Sequence, residues 1–262
     1  MTSNLFRQRN LVLRVSAVCF VTALIITGVF LTPPSAHAKM LSIQQVKEQS
    51  LLLYQRLHNE KRSSSEVDAA LQGQFGLQRL NANQEASSFT STSSDVDLPT
   101  PSIYRDRIHG VTFIYADFSW NASPTNEPMD YNDVFGVWFT QNIPVGTTQL
   151  VTEEVAGVEK VYNNTANYNQ GGVDFVENAN YWRSGEMEIA FNGNFPTGCT
   201  QIFSKYTHGW SSNDLTSTSI SVGLPATAGL QVTYSVTAHS WQTTGSRPAA
   251  YGCPGERSDP GM

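Results

Sequence analysis

Charge is scarce in this chain. Of its 262 residues, 15% are Asp, Glu, Lys or Arg, against about 25% in an ordinary soluble domain. Basic residues are the rarer kind, with 16 Lys+Arg facing 22 Asp+Glu for a net charge of −6. A chain with no basic excess lacks the means to neutralise a phosphate backbone, so nucleic acid is not an expected partner. Disorder is excluded on other grounds, because aromatics reach 11% and disordered chains are poor in them. Cysteine is limited to Cys19, Cys199 and Cys253, too few for a disulfide-framework miniprotein. Chemical signatures are missing too. There is no G-x-S-x-G, H-E-x-x-H, P-loop or C-x-x-C, the usual marks of nucleophile elbows, zinc proteases, nucleotide cradles and thiol redox pairs. No cofactor and no metal site is expected.

The N-terminus carries an address. Arg7, Arg9 and Arg14 precede the uncharged run Val15–Leu31, then Pro33-Pro34 and a small-x-small site at Ala36-His37-Ala38. Residues 1–38 thus read as a secretory signal cleaved after Ala38. The run sits at the short limit of what spans a bilayer, ~17 residues, so no transmembrane anchor is expected after cleavage. A secreted or cell-surface location follows. Cleavage removes Cys19 and leaves Cys199 and Cys253, which in an oxidising compartment are expected to pair.

Residues 39–80 are expected to be helical. Ile43, Val46, Leu53 and Leu57 recur at helical spacing, and Ser63-Ser64-Ser65-Glu66 offers a capping box for a second helix ending near Gly73 and Gly76. Two such helices bury too little surface to stand alone, so the segment must be a docking arm, an oligomerising element or a pro-region. Residues 81–106 are rich in Ser, Thr, Asn and Asp and end in Leu98-Pro99-Thr100-Pro101, which predicts a flexible linker. From 107 to 262 short β-branched and aromatic runs alternate with turn clusters and no helix intervenes. The fold class expected is all-β, an antiparallel β-sandwich of jelly-roll-like or Greek-key type. Leu230, Val232, Tyr234, Val236 and Ala238 alternate with Gln231, Thr233, Ser235 and Thr237. One strand face is therefore apolar and the other is coated with hydroxyl and amide groups, which is where the missing charge has gone.

Three constellations could carry chemistry. His208-Gly209-Trp210 and His239-Ser240-Trp241 are matched tripeptides. In a meander of Gln201–Trp210, Ser217–Val222 and Leu230–Trp241, both would reach one sheet edge from parallel strands two spacings apart, with Asp214 in the adjoining loop. Indoles that stack and imidazoles that hydrogen-bond suit a ligand platform for a glycan or envelope polymer. The plainer alternative is aromatic capping of the core with the histidines partly exposed. Glu186 and Glu188 share a strand face with Trp182, as the carboxylate pair of a glycoside hydrolase would, though an acidic solvated face has the same pattern. Asp130-Tyr131-Asn132-Asp133 offers calcium-type oxygens but lacks the EF-hand glycine and terminal glutamate.

Three functions are compatible with these features. The first is a secreted or surface β-sandwich with a binding or structural role and no chemistry. The second is a carbohydrate-active hydrolase using Glu186 and Glu188. The third is a membrane-active protein restrained by its N-terminal pro-region, since a hairpin with Ser/Thr on one face and apolar residues on the other matches a membrane strand pair.

Overall fold

The computed structural model describes residues 41–81, 95–121, 132–154, 159–162, 167–178, 182–210, 215–224, 229–234, 239–245 and 248–253. The chain divides into two compact units, Met1–Leu41 and Ser42–Met262. The architecture below is that of the second, and the predicted signal segment lies outside the described residues.

Helix α1 spans Ile43–Asn59 and α2 spans Ser64–Phe75. The capping box expected at Ser63 is present: its hydroxyl accepts from the Glu66 N–H, and the Glu66 carboxylate accepts from the Ser63 N–H at 2.9 Å. Ser42 and Gln45 form the same reciprocal pair ahead of α1. Gly76, at φ 70°, closes α2 in the left-handed conformation that a side chain would disfavour.

Strands make up the rest. A first sheet contains β1 (Leu77–Arg79), β2 (Val96–Asp97), β3 (Ser102–Asp106), β4 (Val111–Trp120), β6 (Thr147–Glu154), β7 (Glu159–Tyr162) and β10 (Trp182–Asn192). Its order is β1-β3-β4-β10-β6-β7, with β2 also on β4. A second sheet contains β5 (Asn132–Phe139), β8 (Asn167–Asn169), β9 (Gly172–Asn178), β11 (Thr200–Trp210), β14 (His239–Thr244) and β15 (Ala249–Tyr251). Its order is β14-β11-β5-β9-β8, with β15 also on β11. The remaining strands, β12 (Leu215–Ser221) and β13 (Gly229–Tyr234), pair only with each other. The described pairings are antiparallel.

Alternation builds the core between the two large sheets. Ile114, Ala116 and Phe118 of β4 and Met187, Ile189 and Phe191 of β10 meet Phe135, Val137 and Phe139 of β5 and Val173 and Phe175 of β9. This is an antiparallel sandwich-like fold preceded by a short helical segment, as the sequence predicts. Two further layers flank it: α1 over β10 and β6 on the first sheet, and the β12–β13 hairpin over the second. Among the described residues, no helix is long and apolar enough to cross a membrane.

The expected linker is partly structure. Ser102–Asp106 is a full strand between β1 and β4, and Val96–Asp97 pairs with Trp120 and Ser119. Ile103 is buried in the sandwich core and Tyr104 is buried against the helices' side, so the Ser/Thr-rich composition concealed a two-sided buried strand. Likewise the helical segment ends in β1, which makes the arm part of the first sheet. Cys199 and Cys253 form a disulfide, S–S 2.00 Å, across a sequence separation of 54. It fastens the start of β11 to the chain beyond β15.

Candidate functional site

The hairpin and its seat form the most specific arrangement in the molecule. Ile220 lies opposite Leu230 and Thr218 opposite Val232. Leu230 is buried against Val134, Trp138 and Phe203 of the second sheet, with Ile220 and Val232 packed alongside. Ser217, Ser219, Ser221, Gln231 and Thr233 face outward and are exposed. The seat is floored with glycine. A Cβ on Gly136 would come within 2.5 Å of Leu230 Cδ2, and one on Gly172 within 2.8 Å of Ile220 Cγ2. Gly229, at φ 121°, brings the hairpin backbone against the Trp138 ring, where a Cβ would meet it at 2.9 Å. Three polar contacts hold the rest: Lys205 Nζ to Leu230 O at 2.8 Å, Asn169 Nδ2 to Ile220 O at 3.1 Å, and Gly223 N to Phe139 O at 3.1 Å. Lys205 is buried beneath the hairpin, and that desolvation pushes its ammonium pKa down. At the far end Val222 and Leu224 stay exposed.

The sequence of the hairpin extends the pattern. From Leu215 to Ala238 there is no charged residue. Every even-numbered residue from Ile220 to Ala238 is apolar or Tyr, and every odd-numbered one from Ser217 to Thr237 is Ser, Thr, Gln, Gly or Pro.

The paired tripeptides are arranged differently from expectation. The stretch expected as one strand, Leu230–Trp241, is split into β13 of the hairpin and β14 of the second sheet. β14 pairs directly with β11 and runs antiparallel to it, placing His208 opposite Trp241 and Trp210 opposite His239. The meander with parallel strands two spacings apart is therefore replaced by adjacent antiparallel strands. Both tripeptides still reach one sheet edge. Asp214 and the side chains of Trp210, His239 and Trp241 lie outside what is described.

His208 is neither a ring open to a ligand nor the partly exposed ring of the plainer alternative. It is buried, with Nδ1 2.6 Å from Asp133 Oδ1. The other Asp133 oxygen accepts from Tyr206 Oη at 2.5 Å, Trp120 Nε1 donates to that hydroxyl at 3.3 Å, and the Trp120 ring stands edge-on to His208 at 5.2 Å. Such a network pins the sheet edge to the core. Asp133, considered above for a calcium loop, is engaged in the same network, while Asp130 and Tyr131 lie outside the described residues.

Glu186 and Glu188 share a face, as their spacing requires, but that face is not solvated. Glu186 is 0% and Glu188 3% exposed. They lie on the side of the first sheet that α1 covers, Glu186 opposite Asp117 and Glu188 opposite Tyr115. Glu188 Oε2 accepts from Tyr115 Oη at 3.1 Å, and Ser50 of α1 is 2.7 Å from the same hydroxyl. Neither oxygen of Glu186 has a hydrogen bond. Burial pushes the Glu186 pKa well above the carboxylate range, with Asp117 adding to the effect. Glu188 is pushed up to about 8 by burial, against the opposing Tyr115 bond and Lys47 charge. A strand pattern says which residues share a face and is silent about what lies over it. With α1 in place Glu186 is closed off, while Glu188 reaches the wall of a pocket of about 400 Å³ that Lys47, Thr147 and Tyr168 also line.

No protein-family description and no curated protein matches the chain. Among solved structures, it is similar to one from Streptococcus parasanguinis concerned with pH-induced modulation of adhesion by Fap1 fimbriae. That match is 10% identical, covers 55% of this chain and 79% of that one, and has a TM-score of 0.24. It is similar also to the Clostridium perfringens delta-toxin, at 8% identity, 59% and 85% coverage and a TM-score of 0.25. Overlaps this partial bear on neither topology nor function.

Proposed function

We propose that this is an exported β-sandwich protein that engages a surface, that its engaging element is the β12–β13 hairpin, and that the surface is a lipid bilayer. One observation carries the reading: an uncharged stretch, Leu215–Ala238, alternating strictly from Ser219 onward, supplies a hairpin that belongs to neither large sheet. Membrane strands need ~9–11 residues each, alternating apolar toward lipid and polar toward a lumen. β12 has 7 residues, so the first arm must extend past Ser221 through Val222 and Gly223 to reach that length. In the docked state the apolar side is occupied by the glycine-floored seat; detachment frees it.

A single hairpin in lipid leaves its outer N–H and C=O groups unpaired, at several kcal/mol each. Copies must therefore pool their hairpins into a closed barrel, and the smallest such barrels have about 8 strands, or four copies. The predicted signal and the disulfide support an extracellular setting. The helical arm packs on the opposite sheet, so release of the hairpin is a step of the second sheet alone.

Dye release from phosphatidylcholine/phosphatidylglycerol vesicles tests this. Leu224→Asp and Val232→Asp, on the apolar side, are expected to abolish release. Ser219→Asp, on the hydroxyl side, is expected to retain it. Equal effects on the two sides, or no release from any vesicle, would overturn the reading.

A second reading is favoured by the β11–β14 register, which gathers both His-x-Trp tripeptides at one edge. There the protein would bind a glycan or envelope polymer. Loss of retention on cell-envelope polymer in Trp241→Ala, with vesicle activity unchanged, would support it.

A further inference from the structure

A cavity of about 280 Å³ opens where the helices meet the first sheet. Tyr54, His58 and Arg62 form one wall; Asp97, Asp117 and Ser119 lie in the other. Asp117 is its odd member. The residue is 1% exposed, and neither carboxylate oxygen receives a hydrogen bond. His58 Nδ1 is 3.1 Å from Oδ2 but is not aligned to donate. The Arg79 guanidinium is turned to Asp68, at 3.3 Å, and to Asn81. Across the strand pair stands another carboxyl, Glu186. Burial raises the Asp117 pKa and His58, Arg79 and Tyr54 offset that only in part, so further donor groups brought from outside would stabilise the carboxylate.

The rest of the wall defines what would bring them. The wall carries carboxylates at Asp97 and Asp117, the basic groups of His58 and Arg79, the Arg62 guanidinium held by Glu60 and Glu66, hydroxyls of Ser102 and Ser119, and the Tyr54 ring. Mixed signs at close spacing suit an uncharged ligand that both donates and accepts, and an aromatic wall suits the flat face of a ring. The volume falls just below the ~300–1,000 Å³ typical of ligand pockets, which is room for one ring and not a chain. We propose that the cavity binds a single sugar or polyol unit, whose neighbouring hydroxyls donate to the two oxygens of Asp117. The inference is independent of the membrane reading. Because the arm supplies one wall and the sandwich the other, a bound unit bridges them and stabilises arm docking by mass action.

The unit could be a free monosaccharide or the terminal residue of a glycan, and the test separates these. The full secreted chain is titrated calorimetrically with glucose, galactose, mannose, N-acetylglucosamine and glycerol, and applied to an array displaying the same units at glycan termini. The expected result is saturable binding of at least one probe, weakened tenfold or more in Asp117→Asn and Arg62→Ala and unchanged in Trp241→Ala. Binding on the array alone assigns a glycan terminus. Arg62 is 49% exposed, so that variant carries the test if Asp117→Asn fails to fold. Failure of every free and displayed probe to bind would overturn the proposal. So would binding that survives Arg62→Ala and is lost in Trp241→Ala.

Discussion

Single residues decide how the hairpin is held. Leu230 fits over Gly136 because that glycine leaves the space a Cβ would fill; the same Cβ would also press on Val173 O at 3.1 Å. Gly136→Ala is therefore expected to loosen the hairpin by about 1–3 kcal/mol, the usual cost of overpacking. Faster hydrogen exchange of β12 and β13 amides would register it. Adding Leu230→Ala should recover part of that loss, so the double variant is milder than the sum of the two, since the pair is in direct contact. The sequence showed Gly136 only as a glycine inside a strand, which signals close backbone approach without naming the neighbour. His208 gives the converse case. Its type suggested a ligand platform, but Asp133, 75 positions away, occupies its ring nitrogen.

At the scale of elements, the arm is the most pH-sensitive part. Beneath α1 lie Asp117, Glu186 and Glu188, all with pKa raised mainly by burial. Lys47 and His58 of α1 face them with only partial compensation. Groups whose pKa is higher docked than free hold protons that the undocked state gives up. Docking is thus strongest below the ordinary carboxylate value of 4.5 and weakens as pH rises through the window toward about 8 set by Glu188. The expected loss over that window is a few kcal/mol. Limited proteolysis of residues 42–75 at pH 5, 7 and 9 should show increasing cleavage. Glu188→Gln should flatten the trend, whereas an arm equally protected at all three pH values would contradict it. The spacing of Ile43, Val46, Leu53 and Leu57 and the capping box at Ser63 make the arm's helices legible from local sequence. The buried carboxyl layer was not legible, because alternation cannot distinguish a face turned to water from one turned to a polar helix underside such as Ser50 and Gln55.

For the whole molecule, the sandwich is expected to be the cooperative unit and the flanking layers the first to open. Amides of β4, β10, β5 and β11 should exchange slowest, those of β12–β13 and α1 sooner; hairpin amides as slow as β10 would show that the seat is part of the global core. Removing the staple with Cys199→Ser/Cys253→Ser is expected to cost about 2–5 kcal/mol, read as a lower Tm, because its loop ties the chain beyond β15 to β11. Elements with local causes were legible from the chain: most of the strands from alternation, the start of α2 from the Ser63 capping box, and the uncharged hairpin, while the expected pairing of Cys199 with Cys253 is present. Tertiary structure alone decided what each face meets. It covered Glu186 and Glu188 with α1, drew Ser102–Asp106 out of an apparent linker into a sheet, and set β14 beside β11. The physical reason is that a period of two specifies which side chains point together, whereas the layer they point into is chosen by contacts between segments far apart in the chain, which leave no mark on local pattern.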